Sequence, residues 1–70
     1  MYLVVEIQKP DDATLNHLVT VHDNLNAADS KFYQVLSYAA VSELLLHGAV
    51  ILSENGNIVR TQIYKHDSDE

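Results

Sequence analysis

Four histidines and ten acidic side chains are the residues of this chain best suited to chemistry. Imidazole and carboxylate groups can hold a divalent metal, provided that three or four of them converge. His17 and His22 are the closest histidine pair in sequence. On a strand their odd spacing sends them to opposite faces, so they do not share an ion. His47 and His66 lie far from them, and no local spacing joins them. The residues therefore read as ordinary surface or partly buried histidines, and no metal or other cofactor is implied. His17 stands apart slightly, because it falls on the sheet face assigned below to the core. A strand end near solvent or a satisfied polar contact accounts for it.

Covalent catalysis needs a nucleophile with a base in reach. Ser30, Ser37, Ser42 and Ser53 lie in no elbow or glycine-rich context. Asp11 and Asp12 follow Pro10 and read as turn chemistry rather than as an acid/base dyad. The two glycines are used by a helix stop, Gly48, and a turn, Gly56, which leaves no phosphate cradle. Cysteine is absent, so disulfides and thiolate zinc sites are excluded. Seventy residues also give little room for an enclosed pocket. The expectation is a protein that is not an enzyme.

The elements that would position these residues follow from periodicity. Tyr2 to Gln8 alternates as a strand, with Leu3, Val5 and Ile7 on one face and Tyr2, Val4 and Glu6 on the other. Thr14 to His22 is a second β-rich run, and the two should form an antiparallel hairpin. Asn26 is placed as a helix N-cap, with Asp29 in the capping-box position. The helix should run from about Ala27 to between Ser42 and Leu46, with Ala28, Phe32, Val35, Leu36 and Ala39 as its core stripe. Ala49 to Ser53 and Asn57 to Lys65 should form a hairpin about a two-residue Asn55-Gly56 type I′ turn. That register pairs Leu52 with Val59 and Val50 with Thr61. It puts both pairs and Ile63 on one face, with Ala49, Ile51, Arg60 and Tyr64 on the other.

The expected fold is thus α+β, in the order β-β-α-β-β, an antiparallel sheet with one helix packed across one face. One domain over residues 1–66 is followed by an acidic flexible tail, 67–70.

Composition bounds the partners. The net charge of −6 disfavours direct binding to nucleic acid, since Lys9, Lys31, Arg60 and Lys65 are few and scattered. No apolar run approaches a membrane span, and the first residues lack the pattern of a signal peptide, so a cytosolic protein is expected. A chain this short buries only roughly 60% of its unfolded surface. With no disulfide to help, association is the remaining remedy. Apolar residues exceed what one helix stripe needs. Tyr38, Val41 and Leu45 form a second stripe, Tyr33 lies on yet another side, and the outward sheet face carries Tyr2, Val4, Leu18, Ile51 and Tyr64. Tyr33, Tyr38, Val41, Leu45, Ile51 and Tyr64 are therefore the candidate interface residues, for a homodimer or for another protein. Lys31 and Arg60 are the thin support for an anion contact.

Several stretches resemble small uncharacterised proteins encoded by phages and prophages of Firmicutes. They are Tyr2-Leu3-Val4-Val5-Glu6-Ile7-Gln8, Ala28-Asp29-Ser30-Lys31-Phe32-Tyr33, Ala39-Ala40-Val41-Ser42, His47 with Ala49-Val50-Ile51-Leu52, and Tyr64-Lys65-His66. The resemblance spans nearly the whole chain and carries no chemically specific motif. It implies a phage context and a short accessory protein, which with the cytosolic expectation means the host cytoplasm, and it names no site residue. Acting by binding, such a protein could block a host protein of antiviral defence through its acidic surface. The alternatives are a virion-associated or assembly protein, and an oligomer that sequesters a signalling nucleotide.

Overall fold

The computed structural model describes residues 1–66, and the acidic tail expected at 67–70 lies outside the described residues. The chain runs β1 (Tyr2–Lys9), β2 (Asn16–His22), α1 (Leu25–Ala39), β3 (Leu46–Ser53) and β4 (Ile58–Lys65). The strands form one antiparallel sheet in the order β2-β1-β3-β4, with α1 lying chiefly over β3 and β1. The α+β fold with a helix on one sheet face is as the periodicity predicts. The Cα trace measures 39 × 21 × 15 Å, a thin two-layer body.

Local chemistry sets the ends of each element. Asp11 Oδ1 accepts the backbone N–H groups of Ala13 and Thr14, both at 2.8 Å, and turns the chain out of β1. The helix begins two residues before the expected point. Asn24, with extended backbone, is the N-cap, and its Oδ1 accepts from Ala27 N at 2.8 Å. This start lets Leu25 pack against the core. The expected stripe is observed: Ala28, Phe32, Val35 and Ala39 are buried and Leu36 is partly so.

The helix stops earlier than expected, at Ala39. Val41 N and Ser42 N bond back three residues, to Tyr38 O and Ala39 O, which closes the last turn tightly. Leu46 is thereby free to pair with Lys9 and Lys65 in the sheet. Gly48 is correspondingly a residue of β3 and not a helix stop. A Cβ there would lie 2.3 Å from Gln62 O and 2.7 Å from the Ile63 side chain, which covers the glycine.

The turn after β3 also differs from the type I′ expectation. Gly56 alone has positive φ (87°), Gly56 N bonds Ser53 O, and Ser53 N bonds Asn57 O. The loop thus has three residues, Glu54 to Gly56, which shifts the pairing by one. Leu52 faces Ile58 instead of Val59, and an irregularity between Ile51 and Leu52 restores the expected Val50–Thr61 pair.

The largest correction concerns which face the helix covers. The core is Val4, Ala28, Phe32, Val35, Ala49 and Ile51, with Tyr2, Leu25 and Leu36 around it. The helix therefore sits on the Tyr2/Val4/Ile51 face, which was expected to point outward. The face expected to hold the core, with Leu3, Val5, Ile7, Val50, Leu52 and Ile63, has no layer over it among the described residues.

Candidate interaction face

The strand registers arrange the open face in rows. Val21, Leu3, Leu52 and Ile58 form the first, and Val19, Val5, Val50 and Thr61 the second. His17, Ile7, Gly48 and Ile63 form the third. Beyond it, Leu46 lies between Lys9 and Lys65. The first two rows hold no charged group, and the lysines sit together at one end. Val19, Val21 and Ile58 are 50%, 59% and 66% exposed. Leu3, Val5, Ile7, Val50, Leu52 and Ile63 are half-buried, and His17 and Thr61 are exposed. An apolar field of this continuity is unusual on the surface of a lone soluble domain.

The covered face is the more polar of the two, and beside its core lies a buried polar cluster. The β1–β3 register sets Glu6 opposite Ala49 and Gln8 opposite His47, so Glu6 and His47 meet diagonally on the helix side. His47 Nε2 lies 2.7 Å from Glu6 Oε2, and His47 Nδ1 lies 3.1 Å from Ser42 Oγ. Gln8 Nε2 donates to the same carboxylate oxygen at 2.7 Å. The His47 and Glu6 side chains are only 7% and 14% exposed. Burial on its own raises the Glu6 pKa. The hydrogen bonds from His47 and Gln8 outweigh it, with charge attraction from His47 and Lys31, and hold the carboxyl below its ordinary value of 4.5.

A serine, a histidine and a carboxylate in line invite a catalytic reading. Their other contacts tie backbone segments together. Ser42 Oγ also lies 3.4 Å from the carbonyl of Ala39, at the negative end of α1. The hydroxyl can satisfy either imidazole state. It donates to a bare Nδ1, or accepts from Nδ1–H and turns its own proton to Ala39 O. The cluster thus works as a clasp joining β1, β3 and the segment after α1. His66 adds to it, its Nε2 lying 2.8 Å from Ala39 O.

The clasp predicts a pH dependence. A carboxyl whose folded pKa is depressed stabilises the fold above its unfolded pKa and loses that contribution as pH falls through the folded value. Stability should therefore decline below about pH 4.5. Glu6→Gln should flatten part of that decline in urea titrations at stepped pH. The remainder is expected from Asp11 and Glu54. The backbone N–H of Ala13 lowers the Asp11 carboxyl, and the hydrogen bond from the Met1 amino group lowers that of Glu54. An unchanged acid limb in Glu6→Gln would contradict this.

The residues singled out from sequence are dispersed. Tyr33, Tyr38 and Val41 are exposed, Leu45 and Tyr64 are half-buried, and Tyr64 stacks on His66 with ring centroids 6.4 Å apart. Since α1 ends at Ala39, Tyr38, Val41 and Leu45 do not form a helical stripe. Ile51 is fully buried under α1 and cannot be a contact residue. Arg60 is bound to Asp29 (Nε to Oδ1, 2.7 Å), and Lys31 lies near the Glu6 carboxylate, so the two do not build a joint anion site. His17 is exposed on the open face, not set in the core. Among the described residues no three His, Asp or Glu side chains converge as metal ligands, and no helix is long and apolar enough to cross a membrane. His47 was missed because its partner Glu6 is 41 residues away in sequence. The open face was legible as a stripe but was assigned to the core.

Compared with protein-family models, characterised proteins and solved structures, the chain matches none.

Proposed function

We propose that this protein acts by binding rather than by catalysis, as a homodimer in which the open faces of two sheets pack against each other. The observation that carries the reading is the unbroken apolar field of Leu3, Val5, Val19, Val21, Val50 and Leu52 on the face opposite α1. Four strands about 4.8 Å apart, over roughly seven residues each, span on the order of 450 Å² of plane. Two such faces with side-chain relief bury roughly 1,100 Å², just above the ~1,000 Å² that a biological interface should clear. A second copy is the favoured occupant because the face complements itself. A two-fold axis across the strands lays the Lys9/Lys65 end of one copy over the uncharged Val21/Leu3/Leu52 end of the other, so like charges do not meet. Aligned sheet packing then supplies the third layer that a domain of this size needs.

In this reading the dimer binds a host protein through its outward acidic surface, on which Tyr33 and Tyr38 are exposed. A nucleotide-sequestering role loses support, because Arg60 is already engaged by Asp29. Val5→Lys tests the dimer. Its site is at the centre of the field yet open to water in a single copy, so the fold should survive. Light scattering should give twice the chain mass for the native protein and the single-chain mass for Val5→Lys, with unchanged circular dichroism. A native protein that stays monomeric at high concentration would overturn the reading.

A further inference from the structure

We infer that the outer edge of β2 is a docking site for an extended protein segment with alternating apolar side chains and basic flanks. In the order β2-β1-β3-β4 both outer strands leave backbone N–H and C=O groups without a neighbouring strand among the described residues. The two edges are defended differently. β4 carries Arg60, held by Asp29, and Lys65, and its pairing is broken by the irregularity opposite Ile51 and Leu52. Charge and a bulge of this kind keep another strand away.

β2 has neither defence. Its seven residues, Asn16-His17-Leu18-Val19-Thr20-Val21-His22, include no Lys, Arg, Asp, Glu, Pro or Gly. Its register with β1 runs unbroken through seven pairs, so the strand is regular and its outer groups are evenly presented. Leu18 on the helix side and Val19 and Val21 on the open side are 60%, 50% and 59% exposed, which offers apolar contact on both faces of an added strand. Strand addition draws affinity from main-chain hydrogen bonds and specificity from alternate side chains.

Charge identifies the occupant. No Lys or Arg occurs between Lys9 and Lys31, whereas Asp11 and Asp12 precede β2 and Asp23 follows it, all three exposed. A second copy pairing antiparallel through β2 would bring Asp23 of each chain toward the Asp11/Asp12 end of the other. A segment with Lys or Arg at its ends meets attraction at both. The proposed dimer leaves this edge open, since a two-fold axis across the strands stacks β2 on β2 at the rim, so the two proposals stand or fall separately.

The test uses two synthetic peptides of alternating Val and Thr, one flanked by Lys pairs and one by Glu pairs, added to the full chain. Amide hydrogen exchange followed by NMR should show new protection in β2, with the Lys-flanked peptide binding at least tenfold more tightly at low salt and losing that advantage in high salt. Asp12→Lys with Asp23→Lys, both exposed, should reverse the preference. No protection in β2, protection in β4 instead, or equal affinity for the two peptides would overturn the inference. So would β2 protection that rises with protein concentration alone, since that would assign the edge to a second copy.

Discussion

His47→Leu is expected to destabilise the protein by roughly 3 kcal/mol at neutral pH, read from urea denaturation. The leucine fills most of the ring's volume, so the loss comes chiefly from the partner. Glu6 would lose the hydrogen bond to His47 while its side chain stays only 14% exposed, with Gln8 as its remaining close donor. Breaking a buried pair by removing one member costs more than the pair itself contributes, because the survivor is left with its desolvation unrelieved. Adding Glu6→Leu to that background should therefore restore half of the loss or more. Equal and additive losses in the two single variants and the double variant would mean that the 2.7 Å contact carries no coupling.

Gly48→Ala is the second large effect expected. The glycine's role here is space and not backbone freedom, since Gly56 alone has positive φ. An added Cβ would stand 2.3 Å from Gln62 O and 2.6 Å from Ile63 Cα, both backbone atoms of β4. A flexible side chain could move aside, but a backbone strand in register from Leu46–Lys65 to Ile51–Arg60 cannot shift without losing its ladder. Overpacking of this kind costs roughly 2–3 kcal/mol, which in a domain of this size lowers Tm by roughly 10 °C or more. Trimming the neighbour with Ile63→Ala should rescue little, because the nearest atoms belong to the backbone. A Gly48→Ala protein melting with the native one would contradict the packing described for β3 and β4.

Much of the fold could be read from the sequence because local signals agreed. Alternation placed all four strands. The 3.6-residue stripe of Ala28, Phe32, Val35 and Ala39 placed the buried side of α1. The helix end could not be read in the same way. Leu44-Leu45-Leu46 is a short apolar run that fits the end of a helix or the start of a strand equally well. The choice is made by pairing with Lys9 and Lys65, distant in sequence. The covered face was misread for a related reason. Both sheet faces are apolar, and a period of two says which residues share a face without saying which face is packed. Leu3, Val5, Val50 and Leu52 form the bulkier set, yet they lie on the face away from the helix. The observed core relies on small residues, Ala28 and Ala49, which bring helix and sheet close, with Phe32 and Ile51 filling the space between. Glu6 and His47 on that side looked unfavourable singly and become acceptable only as a pair.

That inversion is what makes the open face a functional candidate. The sheet's bulkier apolar side faces away from its own helix, and in the proposed dimer a second copy covers it. The most direct test is isotope-filtered NOE spectroscopy on a sample mixed from labelled and unlabelled chains. Contacts between chains are expected from the methyl groups of Leu3, Val5, Val19, Val50 and Leu52, with none from Tyr33, Tyr38 or Val41. A spectrum without intermolecular contacts, or one in which they come from the helix side, would contradict the account.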